Sequence, residues 1–444
     1  MKKTILAICT FFLLTAFNAQ EKEMSLSLDE AIAYALEHSY NTKAARNDIN
    51  SAKEKVWETT TIGLPQLNAN VDYQNFLKQP ISVADINGDG VDEEFVFGTK
   101  QNINASVTLT QLLFDGSYLV GLQASKTYLK ISNQAQEKTE LLTREAVVNA
   151  YGNVLVTENS IAILQGNIKI LQKNYNDAKK IYENGLNEEE DVEQLEITLG
   201  NLKNQLNNVI RMKEIAYQML NLSIGNPINT KLILTDTLDS LTETNINLDL
   251  IAQEFNFNNH IDFKIAENDR ETKRLMVKLE QSKALPSLNA FMNYGTQGFS
   301  NSFTFFTSEQ RWFQSSLFGV SLNIPIFSSL GRTAKTAQAK IALETADLRL
   351  EETKQRLSLQ AKKAKNDYQL SIENYNTAKK NVGLAERIEK KQRIKFFEGI
   401  STSFDLLQAQ NQLYTQQQNY IQSMLDVIAK KATLENALNL PITK

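Results

Sequence analysis

Oxygen-bearing side chains near residue 85 form the first group whose types and spacing suit a defined chemistry. Asp85, Asn87 and Asp89 alternate ahead of a glycine, as they do in the opening of a calcium-binding loop. The position that should supply the bidentate glutamate holds Val96, so the match fails where calcium affinity is set. Two interpretations stay open, a weak calcium site or an acidic loop without metal, and the sequence favours the acidic loop.

A second acidic run lies in the middle of the chain. Glu188, Glu189 and Glu190 stand next to one another and are followed by Asp191. If several copies of the chain surrounded a pore, these carboxylates would form a negative ring that selects cations or gates the pore. The alternative is a solvated acidic surface, and the sequence alone leaves both open.

The rest of the sequence offers no catalytic constellation. It contains no G-x-S-x-G motif, no phosphate-binding loop and no dinucleotide-binding fingerprint. The two histidines, His38 and His260, stand apart from cysteine and from clustered carboxylates, which argues against a resident metal ion. We therefore expect a protein that is not an enzyme and that holds no cofactor.

Composition and the N-terminus limit the partners and the location. The 47 Lys and Arg residues nearly balance the 51 Asp and Glu residues, which leaves no basic excess for nucleic acid. Residues 1–20 combine a basic start with a short apolar run, which predicts a secretory signal peptide; a lipid anchor at Cys9 is the less favoured alternative. No later run of 18 apolar residues suggests a membrane-spanning helix.

Half of the chain is duplicated. Residues 43–73 and 264–294 align without a gap at an offset of 221 and agree at 11 of 31 positions. Both copies contain an L-P-x-L motif, at Leu64–Leu67 and at Leu285–Leu288. A repeat of this size is a duplicated half-protein and not a short solenoid unit.

Each copy changes its hydrophobic period in the same order. A helical stretch, at 28–60 in the first copy, ends at Pro65 or Pro286, where a helix-to-strand junction is expected. Apolar and polar residues then alternate, as in Leu67, Ala69 and Val71, which predicts strands with one apolar face. The period then returns to helical.

Two long helical hairpins follow from this pattern. Heptad spacing from Val147 to Tyr182 predicts a coiled-coil helix of about 65 residues, roughly 100 Å long. Both long helices end in the motif G-x5-D-[VL], which places Gly185 with Asp191 and Gly399 with Asp405 at tight turns. Each glycine suits a helix C-terminus and each aspartate suits the start of the returning helix.

These elements predict two structural repeats after the signal peptide. The expected divisions are a first repeat over 21–225, with a β-hairpin at 64–112 and a helical hairpin at 117–222; a linker over 226–247; and a second repeat over 248–440, with a β-hairpin at 285–327 and a helical hairpin at 330–438. Four strands are too few to close a barrel, which takes about eight. The apolar strand faces therefore predict an outer-membrane barrel built from several copies.

Over about residues 26–440 the sequence resembles the TolC-like outer-membrane efflux proteins. The features that carry the resemblance are the paired L-P-x-L motifs, the two G-x5-D-[VL] turns, the segment from Val320 to Phe327 and the closing run from Leu406 to Gln410. Each motif alone is weak. Their order, duplication and spacing together are specific.

The resemblance implies an α+β membrane protein: a trimer whose four transmembrane strands per chain form a twelve-stranded β-barrel, continuous with a long periplasmic α-helical coiled-coil barrel. It implies a passive exit duct in the outer membrane that works with a periplasmic adaptor (membrane fusion) protein and an inner-membrane pump of RND or ABC type. Gly185, Asp191, Gly399 and Asp405 would mark the periplasmic tip where the adaptor docks. A secreted coiled-coil structural protein or adhesin without channel activity is the alternative.

Overall fold

The computed structural model describes residues 24–85, 88, 90, 92–185 and 188–440, and the predicted signal peptide lies outside them. A short 3-10 helix at Phe257–Asn259 precedes the helix at Ile261–Ser282. In chain order the elements are β1 (Met24–Leu26), α1 (Leu28–His38), α2 (Tyr40–Thr61), β2 (Gln66–Asn75), β3 (Ile81–Ala84), β4 (Glu93–Val96), β5 (Gln101–Asp115), α3 (Gly116–Glu183), α4 (Glu189–Ile224), β6 (Leu232–Leu234), α5 (Leu238–Asn245), α6 (Asp249–Ala252), α7 (Ile261–Ser282), β7 (Ser287–Ser300), β8 (Trp312–Asn323), α8 (Gly331–Phe397) and α9 (Ser403–Ala437).

The chain divides into two compact units. The first contains the residues up to Asp48, Asn133–Ile265 and the chain from Glu351 onward. The second contains Ile49–Ser132 and Ala266–Leu350. Each unit therefore draws on both sequence repeats.

A four-stranded antiparallel sheet dominates the second unit, in the order β2-β5-β7-β8. Gln66 lies opposite Thr110 in the first hairpin, and Ser287 lies opposite Asn323 in the second. The predicted strands of both hairpins are confirmed. β7 continues past residue 294, where the aligned repeat ends, and itself ends at Ser300.

The two faces of this sheet differ in polarity. One cross-strand row contains Leu67, Leu109, Met292 and Phe318, all of them exposed to solvent in the single chain. A row on the other face contains Asn70, Ser106, Gly295 and Ser315. The predicted alternation is thus present in the folded sheet, and its apolar face has no cover within the described part of the chain.

The loop of the first hairpin contains structure that the sequence did not predict. β3 and β4 form a separate antiparallel pair in which Ile81 lies opposite Val96. Each strand has only four residues. Runs this short carry too little alternation to be recognised as strands.

The long helical hairpins agree with the prediction. α3 has 68 residues and α8 has 67, and the returning helices α4 and α9 have 36 and 35. Heptad positions such as Val147, Val154, Tyr368 and Tyr375 lie in the main core cluster of the first unit. None of the helices in the described ranges is long and apolar enough to cross a membrane.

The predicted helix over 28–60 is wrong in one respect, because the structure breaks it at Ser39. This residue ends α1 with ψ 148°, and its hydroxyl oxygen accepts a hydrogen bond at 3.3 Å from the backbone N–H of Thr42. Ser39 therefore caps a new helix, α2. At the other end of α1, Ser27 caps the helix start through a reciprocal capping box with Glu30.

The segment between the repeats is ordered and packs in the first unit. β6 pairs in parallel with β1, and α5 begins with a capping box at Thr237. The Asp236 carboxylate accepts hydrogen bonds from the backbone N–H of Leu28, at 2.7 Å, and from the Tyr151 hydroxyl, at 2.9 Å. The predicted linker thus ties the start of α1 to the middle of α3.

Candidate functional site

The turn between α3 and α4 begins with a left-handed glycine. Gly185 has φ +74° and donates its N–H to the Tyr182 carbonyl at 2.8 Å. Such a φ favours glycine because other residues clash with their own backbone there. Leu186 and Asn187 lie outside the described residues, and α4 starts after Glu188.

The turn between α8 and α9 has the same design and a stronger cap. Gly399 has φ +72°, and the N–H of the next residue, Ile400, donates to the Lys395 carbonyl at 2.8 Å. The Asp405 carboxylate accepts from the Thr402 N–H at 3.2 Å and from the Thr402 hydroxyl at 2.9 Å. Asp405 therefore holds the start of α9 through a capping box.

Asp191 occupies the equivalent position in α4 without this cap. It stands three residues after the N-cap residue Glu188, whose side chain makes no capping hydrogen bond. Glu189, Glu190 and Asp191 instead place three carboxylates in the first turn of the helix, where the helix dipole favours negative charge. Glu190 also accepts a hydrogen bond from the Gln194 side chain at 2.9 Å.

The structure brings the two turns together. Val192 and Leu195 of α4 share a buried cluster with Phe396 and Leu406, which flank the second turn. The Ser403 hydroxyl donates to the Gln194 side-chain oxygen at 3.1 Å. The four residues predicted to mark the tip thus belong to one local assembly.

The surfaces of the two turns differ in chemistry. Glu188, Glu189 and Glu190 are exposed, whereas the second turn exposes Ile400 (69%) and Phe404 (67%). Counted from the two glycines, Phe404 matches Glu190. Sequence reasoning missed Ile400 and Phe404, although two apolar residues in a polar turn of five were a signal for an exposed apolar surface.

The two prolines lie where helix gives way to strand. Pro65 stands between α2 and β2, and Pro286 stands between α7 and β7. In both copies the residue before the proline donates its N–H to a carbonyl three residues earlier, at 3.0 Å for Leu64 and for Leu285. The two junctions therefore have the same local geometry, as their shared sequence suggests.

The acidic loop is described only in part. The Asp85 carboxylate accepts backbone N–H groups from Gly88, at 2.7 Å, and from Gly90, at 2.9 Å. Asn87 and Asp89 lie outside the described residues, so the calcium site stays a prediction. Val96, at the position of the missing glutamate, belongs to β4. Within the described ranges no three His, Cys, Asp or Glu residues form a metal-binding group.

The two histidines play local structural roles. His38 lies at the end of α1, and its ring stacks on Tyr34 with 4.1 Å between the ring centroids. His260 precedes α7, and its Nδ1 accepts the Asp262 N–H at 3.1 Å. Burial lowers the pKa of His260, although the nearby Asp262 carboxylate acts in the opposite direction.

Two buried tyrosines of the first unit form hydrogen bonds through their hydroxyl groups. Burial, followed by the hydrogen bond with Asp236, raises the pKa of Tyr151. The Tyr368 hydroxyl donates to the Asn245 carbonyl at 2.6 Å and accepts the Asn247 N–H at 2.9 Å. These phenols hold the segment between the repeats in place.

Comparison with known proteins identifies relatives at the level of family and fold. The model of a family described as outer membrane efflux protein matches residues 31–226 and 257–440. No curated protein matches the sequence.

Several solved outer-membrane proteins share the fold. The outer membrane protein VceC from Vibrio cholerae is 15% identical, with a TM-score of 0.70 over 93% of this chain and 95% of its own. The Campylobacter jejuni CmeC outer membrane channel is 16% identical, with a TM-score of 0.73 over 93% and 85%. The open Neisseria gonorrhoeae MtrE outer membrane channel is 18% identical, with a TM-score of 0.69 over 93% and 88%.

Proposed function

The chain belongs to the outer membrane efflux protein family, and we propose that it is an outer-membrane channel that serves as the exit duct of a tripartite efflux or type I secretion system. In this role it conducts substrates passively from the periplasm and an inner-membrane pump to the exterior. The observation that carries the proposal is the exposed apolar face of the four-stranded sheet. The energy for transport comes from the pump.

The sheet supports a barrel shared by several chains. Four strands per chain are half of the roughly eight needed to fill or enclose an interior, and the trimer that the family resemblance implies would supply twelve. The row of Leu67, Leu109, Met292 and Phe318 would then face lipid, and the row of Asn70, Ser106, Gly295 and Ser315 would face the lumen. Apolar-out and polar-in alternation is the pattern that lipid on one side and water on the other require.

The long helices support a periplasmic duct that ends at the paired turns. Each of the helices α3 and α8 is about 100 Å long, far more than a compact domain requires. In the proposed trimer the turns at Gly185–Asp191 and Gly399–Asp405 form the tip that an adaptor protein meets. The exposed Ile400 and Phe404 give that partner an apolar surface to cover.

Single-channel recording tests the proposal. The protein is extracted from membranes in detergent and added to a planar lipid bilayer, where discrete conductance steps are expected. A protein that is released without detergent and produces no conductance would contradict the proposal and would favour a secreted structural protein or adhesin. A detergent-only addition is the control.

Adaptor docking is tested separately at the tip. Ile400→Ser and Phe404→Ser should weaken binding of the periplasmic adaptor while leaving conductance unchanged. Ile197→Ser is the matched control, because Ile197 is an exposed apolar residue of α4 away from the turn. Equal loss of adaptor binding in all three variants would contradict docking at the turns.

A further inference from the structure

The polar face of the four-stranded sheet differs between its two hairpins. In the first hairpin every residue on this face from Gln66 to Gln74 and from Asn102 to Thr110 has an amide, hydroxyl or carboxylate side chain. The same face of the second hairpin has four large apolar side chains, which belong to Phe291, Phe299, Phe313 and Leu317. We call these four residues the apolar stripe.

The sequence repeat shows which residues occupy the equivalent positions of the first hairpin. Offsets of 221 and 213 relate β2 to β7 and β5 to β8, and the strand pairs of both hairpins obey them. By these offsets Phe291 corresponds to Asn70, and Leu317 corresponds to Asn104. Because one hairpin forms with polar residues at these positions, strand pairing does not require the apolar stripe.

The apolar stripe is largely open on its outer side. Phe299, Phe313 and Leu317 are 44%, 50% and 59% exposed. The rings of Phe299 and Phe313 lie against each other, with 5.9 Å between their centroids. The ring of Phe291 covers Gly319, where an added Cβ would lie 2.6 Å from its Cζ. From Gly319 to Phe313 the stripe runs about 20 Å along β8.

A guanidinium group lies at the loop end of the apolar stripe. Cζ of Arg311 is 5.5 Å from the centroid of the Phe313 ring. Arg311 forms no ion pair with any residue that the structure describes. The carboxylate in the cross-strand row of Phe313 is Asp72, three strands and about 14 Å away, and it accepts the Asn70 amide at 2.6 Å. The stripe therefore ends in a positive charge that is free for a ligand.

We propose that Phe299, Phe313, Leu317 and Arg311 form a binding subsite for organic anions that contain an aromatic ring. This inference rests on the proposed exit duct, in which the polar face lines the lumen, and it adds a chemical class of ligand. The ligand ring packs against the two phenyl rings, and its carboxylate or sulfonate pairs with the guanidinium. A small inorganic anion has only the second of these contacts.

The dimensions of the stripe fit a small dissolved molecule. It occupies two neighbouring strands that lie about 5 Å apart, so it is one or two rings wide. An α-helix of a partner protein, about 10 Å across, would also cover the polar residues on both sides. Lipid would meet the opposite face, which contains Phe318 and Val320 of the same strand.

Equilibrium dialysis of the full chain in detergent tests the subsite with naphthalenesulfonate as the probe. The parent protein should bind the probe saturably, in excess of what protein-free micelles take up. Methanesulfonate has the same anionic group without a ring, and its binding should be at least about tenfold weaker because it lacks the ring contacts. Dialysis measures binding whether the pore is open or closed.

Substitutions separate the two contacts. Phe313→Ser and Arg311→Gln should each weaken binding of naphthalenesulfonate by about tenfold, the first through lost packing and the second through the lost charge. Phe299→Ser tests the same packing from the neighbouring strand, so the test does not depend on one variant folding. Leu317→Asn introduces the residue of the first hairpin and should also weaken binding. Val320→Thr is the matched control, because Val320 is 55% exposed on the opposite face of β8.

The outcomes separate this inference from the proposed function. Equal binding by the parent, Phe313→Ser, Phe299→Ser and Arg311→Gln would overturn the subsite, and so would binding of methanesulfonate as tight as that of naphthalenesulfonate. No saturable binding to a parent protein that conducts in planar bilayers would overturn the subsite and leave the exit duct standing. Absence of conductance from the parent chain would overturn the proposed function itself.

Discussion

Gly225 follows the last residue of α4. Replacing it by alanine would add two separate costs to the stability of the fold, a strained backbone and steric overlap with a neighbouring segment. It has φ +89° and donates its N–H to the carbonyls of Asn221 and Leu222, at 3.0 and 3.2 Å. A Cβ at this position would lie 2.7 Å from the carbonyl carbon of His38 and 2.7 Å from Cα of Ser39, and it would also overlap the His38 oxygen. The obstacle is backbone, so no side chain can rotate away.

Gly399 is the matched control because it shares the conformation without the obstacle. Its φ is +72°, and nothing lies within 4 Å of an added Cβ. Gly399→Ala should therefore lose only about 1–2 kcal/mol of stability, which is what the left-handed conformation costs a residue with a Cβ. Gly225→Ala adds overpacking against the chain at Ser39, so its total loss should be roughly 2–5 kcal/mol.

Urea unfolding of the two detergent-solubilised variants, followed by far-UV circular dichroism, measures the difference. The midpoint of Gly225→Ala should fall clearly below that of Gly399→Ala, with the same slope. Equal midpoints would refute the reasoning, because they would mean that the close approach between the end of α4 and the start of α2 does not constrain the fold.

Three further predictions concern the turns and His260. Asp405→Asn should lower the free energy of unfolding by roughly 0.5–2 kcal/mol through its capping box, measured by urea unfolding, while Asp191→Asn should cost less because Asp191 accepts no capping bond. Burial lowers the pKa of His260, so the folded state favours the neutral ring. The free energy of unfolding should therefore fall as the pH drops below about 6.5. His260→Gln should flatten that part of its pH profile. Replacing Glu188, Glu189 and Glu190 together by Gln should reduce cation selectivity, measured as the reversal potential of the channel in a salt gradient; an unchanged potential would assign these residues to a solvated surface.

Local periodicity explains why so much of the fold followed from the sequence. The heptad spacing in α3 repeats without a break from Val147 to Tyr182, so single exceptions elsewhere in this long helix do not obscure the pattern. The strands β2 and β5 alternate strictly over several residues, and Pro65 marks the change of period. Because the chain contains two repeats, the pattern that predicts each helix or strand occurs twice.

Contacts distant in sequence explain what the sequence did not reveal. The break at Ser39 depends on a hydroxyl that caps α2, yet serine is common inside helices as well as at their starts. The three-residue strands β1 and β6 exist only because they pair across more than two hundred residues. Asp236, within the predicted linker, acts through Leu28 and Tyr151, which no local pattern connects to it.

Part of the candidate tip was predictable because it depends on local backbone conformation, and part was not because it depends on tertiary contacts. A positive φ and a helix start restrict residue type, so Gly185, Gly399 and Asp405 stand out in a sequence. The meeting of the two turns through Ser403 and Gln194 is a tertiary contact that has no such signature. Ile400 and Phe404 carried a local signal, as apolar residues in a polar turn, but their exposure is a property of the fold.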